Sequence, residues 1–300
     1  VNSEPSLRRM FSNRRMVFAA SVLAFMVLAA TVGPWVSPYN YDTGGLKSFS
    51  PPSWENWGGT DLLGRDVFTR MLYGARISLL VGVVGAFVSL VIGVAYGSVA
   101  GYVGGQTDMV LMRVVDVLYS VPRLIFVILL ISVLDQHAKR FLASVGMNEA
   151  AAQVRLVLLF VGLGAVEWLT MARIVRGQVM ALKERQFVTA SRALGQGHLK
   201  IWFRHIMPNL AGIVTVYLTL TVPVVILEES FLSFLGLGVQ APMSSWGMMI
   251  ASGAQIINPV KSYWWLLAVP SVAMALSLLA LNFLGDGLRD WLDPRSGERR

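Results

Sequence analysis

Six long apolar blocks, separated by polar stretches, organise this chain. They run over 16–36, 77–103, 114–134, 154–175, 210–227 and 262–285. The first is 21 residues without a charge, enough at about 1.5 Å per residue to cross ~30 Å of hydrocarbon. The apolar core of a cleaved signal peptide would be shorter, ~7–15 residues, with a small-residue cleavage site after it. Pro34, Trp35 and Pro38 make no such site, so 16–36 is read as a retained span. The third block holds Asp116 and Arg123, expected near its ends or facing protein. Pro223 and Pro270 interrupt the fifth and sixth, tolerable where neighbours satisfy the freed carbonyls. The pattern predicts an all-α membrane protein with six transmembrane helices.

The polar stretches give the organisation: a basic segment 1–15, the first helix 16–36, a Pro- and Gly-rich segment 37–76, a five-helix core 77–285 that includes a basic loop 176–208, and a tail 286–300. An even number of spans puts both termini on one side. The N-terminus, the 104–113 loop, 173–208 and the tail carry sixteen Lys/Arg, and the opposite loops clearly fewer. Excess Lys/Arg marks the cytoplasmic side, so both termini are expected in the cytoplasm.

Composition agrees. Of 300 residues, 55% are hydrophobic and 14% charged, against roughly a quarter charged in soluble domains; the mean hydropathy is +0.61. The formal charge of +8 lies between apolar spans, whereas a nucleic-acid binder gathers its cations on one folded surface. With no cysteine, disulfides, thiolate metal sites and a Cys nucleophile are excluded. His137, His198 and His205 fall in separate loops and leave little for a metal centre.

The most informative polar stretch is 173–208. It carries Arg173, Arg176, Lys183, Arg185, Arg192, Lys200 and Arg204 against one acid, Glu184. Phe187, Ala190, Ser191 and Leu194 fall at i, i+3, i+4 and i+7, which predicts a short helix with one apolar, small-residue face. Gly195 is placed to end it as a C′ glycine. A second short helix, about 198–207, runs into Pro208, where the next span begins. Such a loop suits gripping by another protein; setting topology and touching anionic lipid is the plainer use of its charge.

This spacing resembles the EAA loop of ABC-importer membrane subunits, E-A-A-x3-G-x9-I-x-L-P. Thr189 replaces its Glu, Ser191 its second Ala, His205 its Ile and Met207 its Leu, while Gly195 and Pro208 keep their places. The stretch 59–82, GTDLLGRDVFTRMLYGARISLLVG, is bland by its own chemistry: Gly59, Asp61, Gly64 and Asp66 suit turns and a helix N-terminus. It closely resembles the segment ahead of the second span in "C"-type permeases of dipeptide and oligopeptide importers. The likeness continues through Trp168 to Pro208, Glu229 to Gly238, Gln240-Ala241-Pro242 with Trp246-Gly247, and Gly285 to Asp290 with Asp293-Pro294-Arg295. It covers most of the chain after residue 50.

The resemblance implies a type I ABC importer permease fold in a bacterial cytoplasmic membrane. It also implies a homologous "B"-type permease partner, two ABC ATPase subunits and an extracytoplasmic peptide-binding protein. Glu184, Phe187, Ala190, Ser191, Arg192, Leu194, Gly195 and Pro208 would form the coupling helix and its frame, docking on an ATPase. No cofactor is expected in this chain, ATP and Mg being held by the ATPases, and the chain itself would be non-catalytic. No G-x4-G-K-[ST] is present. Di- or oligopeptides are the implied cargo; nickel chelates, glutathione and murein peptides are carried by relatives, and an ion-coupled secondary transporter is the remote alternative.

Three acids are candidates for the translocation pathway. Glu167 falls mid-way along the fourth span, where a charge is costly; it is either a pathway residue or the partner of an arginine or a backbone amide. Glu228 and Glu229 end the fifth span, where they could meet a peptide's ammonium group. Glu229 could equally orient the following FLGLG turn. Gly82, Gly85, Ser89, Gly93, Gly97 and Gly101 run down the second span at intervals of three or four, letting helices approach closely, within the chain or against another subunit. The loop 135–153 is longer than the family leads one to expect, with a helix-like middle that suits the membrane surface, a binding protein or a plain spacer.

Overall fold

The computed structural model describes residues 14–257 and 260–292, apart from the side chains of 148–153. Most of segment 1–15 and the Asp293-Pro294-Arg295 motif lie outside the described residues. In chain order the helices are α1 Arg14–Val36, α2 Val67–Val103, α3 Gly105–Tyr119, α4 Arg123–Ser144, α5 Asn148–Lys183, α6 Gln186–Ala193, α7 His198–Ile201, α8 Met207–Phe234, α9 Trp246–Gln255 and α10 Trp264–Leu292. A π-helical turn, Trp202–Ile206, joins α7 to α8. Among the described residues, five helical stretches are long and apolar enough to cross a membrane, and six if α3 and α4 form one broken span.

That break falls inside the third span expected over 114–134. The helix bends by 88° between Tyr119 and Arg123. Pro122, extended at ψ 126°, caps α4; it has no N–H to continue the ladder and pushes the preceding residue away from the helical region. The 135–153 segment also differs from the expected loop. It is helical except for Val145–Met147, because Asp135 and Lys139 pair at i, i+4 (2.8 Å) and Gly146, at φ +81°, closes α4.

α2 begins ten residues before the apolar run does. Asp66 caps it, accepting from the Thr69 N–H and hydroxyl at 2.7 Å each, and Asn56 holds the other carboxylate oxygen at 3.1 Å. Two arginines inside the first turns are tolerated because distant residues meet them. Arg70 donates to the Tyr41 carbonyl at 3.3 Å. Arg76 donates to the carbonyls of Ala30 (2.5 Å) and Thr31 (2.7 Å) in α1. The Ala30 carbonyl is the one that Pro34, four residues on and lacking an N–H, leaves without a helical partner. Arg76 therefore repairs α1 and fastens it to α2.

The glycine seam is used inside the chain. A Cβ at Gly82 or Gly85 would press on Val222, Val225 and Ile226 of α8 at 2.7–2.9 Å. At Gly97 it would stand 2.3 Å from the Ala172 carbonyl oxygen of α5. α2 thus lies backbone-close to α5 along one face and to α8 along another, with α1 and α10 packed outside. Pro-rich residues 37–66 fold over this end, where Trp265 Nε1 donates to the Thr60 carbonyl at 3.2 Å and Phe49 stacks on Tyr263 at 4.3 Å.

Candidate functional site

The 184–208 segment closes one end of the bundle. α5 runs without interruption into it, and Lys183 Nζ anchors that end by donating to the Tyr102 carbonyl at 2.8 Å. After Glu184 and the extended Arg185, α6 starts. It ends at Gly195, whose φ of +75° lets the Gln196 N–H reach the Ser191 carbonyl (3.1 Å) and the Gly195 N–H the Arg192 carbonyl (3.0 Å). This is the paired closure of a left-handed C′ residue, and Gly236 ends α8 the same way. Beyond Gly197, α7 leads into the π turn, where the Met207 N–H bonds back five residues to the Trp202 carbonyl, and Pro208 opens α8.

The loop has an inner and an outer face. Val188, Ser191, Ile201 and Ile206 are buried; the three apolar ones join Val175, Val179 and Leu210 in one core. Ser191 Oγ donates to the Phe187 carbonyl at 2.8 Å and lies 3.2 Å from His205 Nε2, tying α6 to the π turn. The single face expected from Phe187, Ala190, Ser191 and Leu194 is therefore split. Ser191 points inward beside Val188, and Phe187, Ala190 and Leu194 point outward. With Leu199 and Phe203 they form an apolar ridge in which Leu194 is 81% and Leu199 75% exposed. Glu184, Arg192, Gly195 and Pro208 are also exposed. Sequence spacing did not reveal Leu199 and Phe203, since no period links them to α6.

From this loop a polar stripe climbs α5. Glu167, Thr170, Arg173 and Arg176 recur every third residue, which places them on neighbouring turns. Each meets the broken helix. Arg176 grips Asp108 through two nitrogens (2.5 and 2.6 Å), and Arg173 reaches Asp116 at 2.7 Å while lying over the Tyr119 ring. The Tyr119 hydroxyl meets Thr170 Oγ1 at 2.6 Å, and Arg123 donates to Glu167 Oε1 at 2.8 Å. The ladder reverses polarity midway, with cations on α5 near the loop and a cation on α4 beyond the bend. Of these pairs the sequence hinted only at an arginine partner for Glu167.

The three candidate acids separate. Glu167, 6% exposed, is paired with Arg123. Glu228 lies 4.0 Å from the same arginine through Oε1, and its Oε2 is buried without a hydrogen-bond partner. Glu229 turns the other way and is fully buried. It accepts from Ser233 Oγ (2.6 Å) and Ser245 Oγ (2.8 Å), and Ser245 in turn caps α9 through the Met248 N–H (3.0 Å). Trp246 seats α9 on α2, its N–H reaching Ser78 Oγ (3.0 Å) and its indole the Met71 carbonyl (3.2 Å).

Comparison with known proteins decides the family. Residues 93–298 match the family described as binding-protein-dependent transport system inner membrane component. The chain belongs to this family. Residues 6–52 also match the N-terminal TM domain of oligopeptide transport permease C. The permease is 44% identical to the oligopeptide transport system permease protein OppC of Haemophilus influenzae, over 96% of this chain and 87% of the relative. It is 42% identical to the dipeptide transport system permease protein DppC of Bacillus subtilis, over 98% and 86% respectively. With the OppC of Escherichia coli it shares 43% identity over 96% of this chain and 89% of that one. It is a multi-pass protein of the bacterial inner membrane with the type I ABC permease fold.

Proposed function

We propose that this permease forms half of the pore of an ATP-driven importer of di- and oligopeptides, paired with a homologous second permease. Two ATPase subunits that hold ATP and Mg, and an extracytoplasmic peptide-binding protein, complete the assembly. The chain itself supplies no catalytic residue. The observation that carries the reading is the ridge Phe187–Leu194–Leu199–Phe203, exposed at the end of the bundle yet fixed from beneath by Val188, Ser191, Ile201 and Ile206. Large exposed apolar side chains on a rigid base suit protein docking. α5 runs directly into this ridge and a π turn carries it into α8, so ATPase closure would move both spans together. The excess Lys/Arg on this end supports a cytoplasmic orientation for it and for both termini. The cargo follows from relatives named for oligopeptide and dipeptide transport.

Affinity purification of the tagged permease from its native membranes in mild detergent tests the assembly. A second permease and P-loop ATPases should come with it, and proteoliposomes of the complex should take up peptide only with ATP inside the ATPase compartment and binding protein on the other side. Recovery of the chain alone from every mild detergent, with ATP-independent flux, would overturn the reading.

A further inference from the structure

We propose that Arg123, Glu167 and Glu228 form a charge-selective station that receives the protonated α-amine of the transported peptide; this rests on the peptide-import reading. The cluster sets one guanidinium against two carboxylates. Among the described residues, Arg123 is the cation within 4.0 Å of either acid. The arrangement is lopsided. Arg123 holds Glu167 at 2.8 Å but stands 4.0 Å from Glu228, and Glu228 Oε2 is buried with no donor at all. A carboxylate oxygen is an acceptor only, and leaving one buried and unmet is costly, the more so within a membrane span. A compact donor of positive charge satisfies such an oxygen best. A primary ammonium fits: it offers three N–H donors and one unit of charge, and it would bring the cluster to neutrality.

Beside Arg123 lies a small apolar cavity of about 20 Å³, room for a water-sized group, walled by Leu118, Val121, Phe126 and Leu169. Arg123 itself is partly exposed and stands on the first residue after the 88° bend. Its distance from Glu228 is therefore set where α4 breaks from α3. The ladder on α5 links this point to the 184–208 loop, so a change at the docking ridge reaches the station through one continuous helix. Glu229 differs by its surroundings: its Oε1 accepts from Ser233 and Ser245, and although its Oε2 is also buried without a hydrogen-bond partner, no Arg or Lys among the described residues stands within 4.0 Å of it.

The test uses the complete importer in proteoliposomes. Initial uptake of a hydrophobic tripeptide is compared with that of its N-acetyl derivative, each expressed relative to wild type so that any preference of the binding protein cancels. Glu228→Gln should lower free-amine uptake at least tenfold and change N-acetyl uptake less than twofold, while binding-protein-stimulated ATP hydrolysis persists. Glu228→Asp should recover free-amine uptake to within threefold of wild type. Equal losses for both peptides would show a structural role, and no loss would show no role; either overturns the station. Should Glu228→Gln fail to assemble, Arg123→Gln carries the test, because removing the competing cation should shift the ratio towards the free amine, and a shift the other way refutes the proposal. If wild type imports neither peptide, the peptide-import reading itself fails, an outcome separate from these.

Discussion

Replacing Gly195 with proline is the sharpest probe of the docking loop. The residue stands at φ +75°, which the proline ring, locked near −65°, cannot adopt. The substitution removes the N–H that bonds to Arg192 and disturbs the neighbouring bond from Gln196 to Ser191. Two hydrogen bonds at about 0.5–1.5 kcal/mol each, with backbone strain of about 1–3 kcal/mol, give a local cost of ~2–6 kcal/mol. With about 1.4 kcal/mol per factor of ten, the ordered loop becomes at least ~25-fold rarer. α6, at eight residues, has no reserve, since isolated helices below ~12–15 residues are marginal. No atom stands within 4 Å of a Cβ built here, so the damage is confined to the backbone and the spans still insert. Alanine at the same position should cost about 1–2 kcal/mol, giving a graded series. The assay is peptide uptake and ATPase recovery for variants matched in membrane abundance. A Gly195→Pro permease that keeps more than half of wild-type uptake and its full complement of ATPase would refute the reasoning.

Three further outcomes follow from packing. Gly97→Val should destabilise the α2–α5 contact by about 1–3 kcal/mol or more, since its Cβ would stand 2.3 Å from a carbonyl oxygen. Gly177→Ala, in open space, serves as its silent control, and melting in detergent reads both. Arg76→Ala leaves two α1 carbonyls without its donors and should cost about 1–3 kcal/mol, seen as faster protease cutting between α1 and α2. Glu229→Ala strands Ser233 and Ser245 beside a buried hole and should cost about 2–4 kcal/mol. Glu229→Gln, which keeps an acceptor, should melt closer to wild type; equal losses for the two would contradict the hydrogen-bond account.

Much of the frame is legible in the sequence because its causes are local. Apolar run length gives the spans, and Asp66 and Gly195 mark a helix start and a helix end by chemistry confined to a few residues. What escapes depends on partners far along the chain. α2 extends through Arg70 and Arg76 because carbonyls 29 to 46 residues earlier receive them. The bend at Pro122 hides inside an apolar run whose composition suits a straight helix. Polar residues 135–144 continue α4 because an i, i+4 ion pair supports the turn and Gly146 ends it later. The α6 face divides because Ser191 finds His205 of the π turn, fourteen residues on. The stripe on α5 is periodic in sequence, yet its meaning as a ladder appears only opposite Asp108, Asp116, Tyr119 and Arg123.

The contact between Arg76 and α1 has a consequence for how the protein is made. Chain order brings α1 out of the ribosome before Arg76. During that interval the Ala30 carbonyl freed by Pro34 has no protein donor, and lipid offers none. The first helix therefore enters the bilayer incomplete and is finished only when the second arrives. Biogenesis acquires an ordering step: the pairing of these two helices is driven early, by an electrostatic need as well as by fit, and it supplies a docked platform before the remaining spans are synthesised.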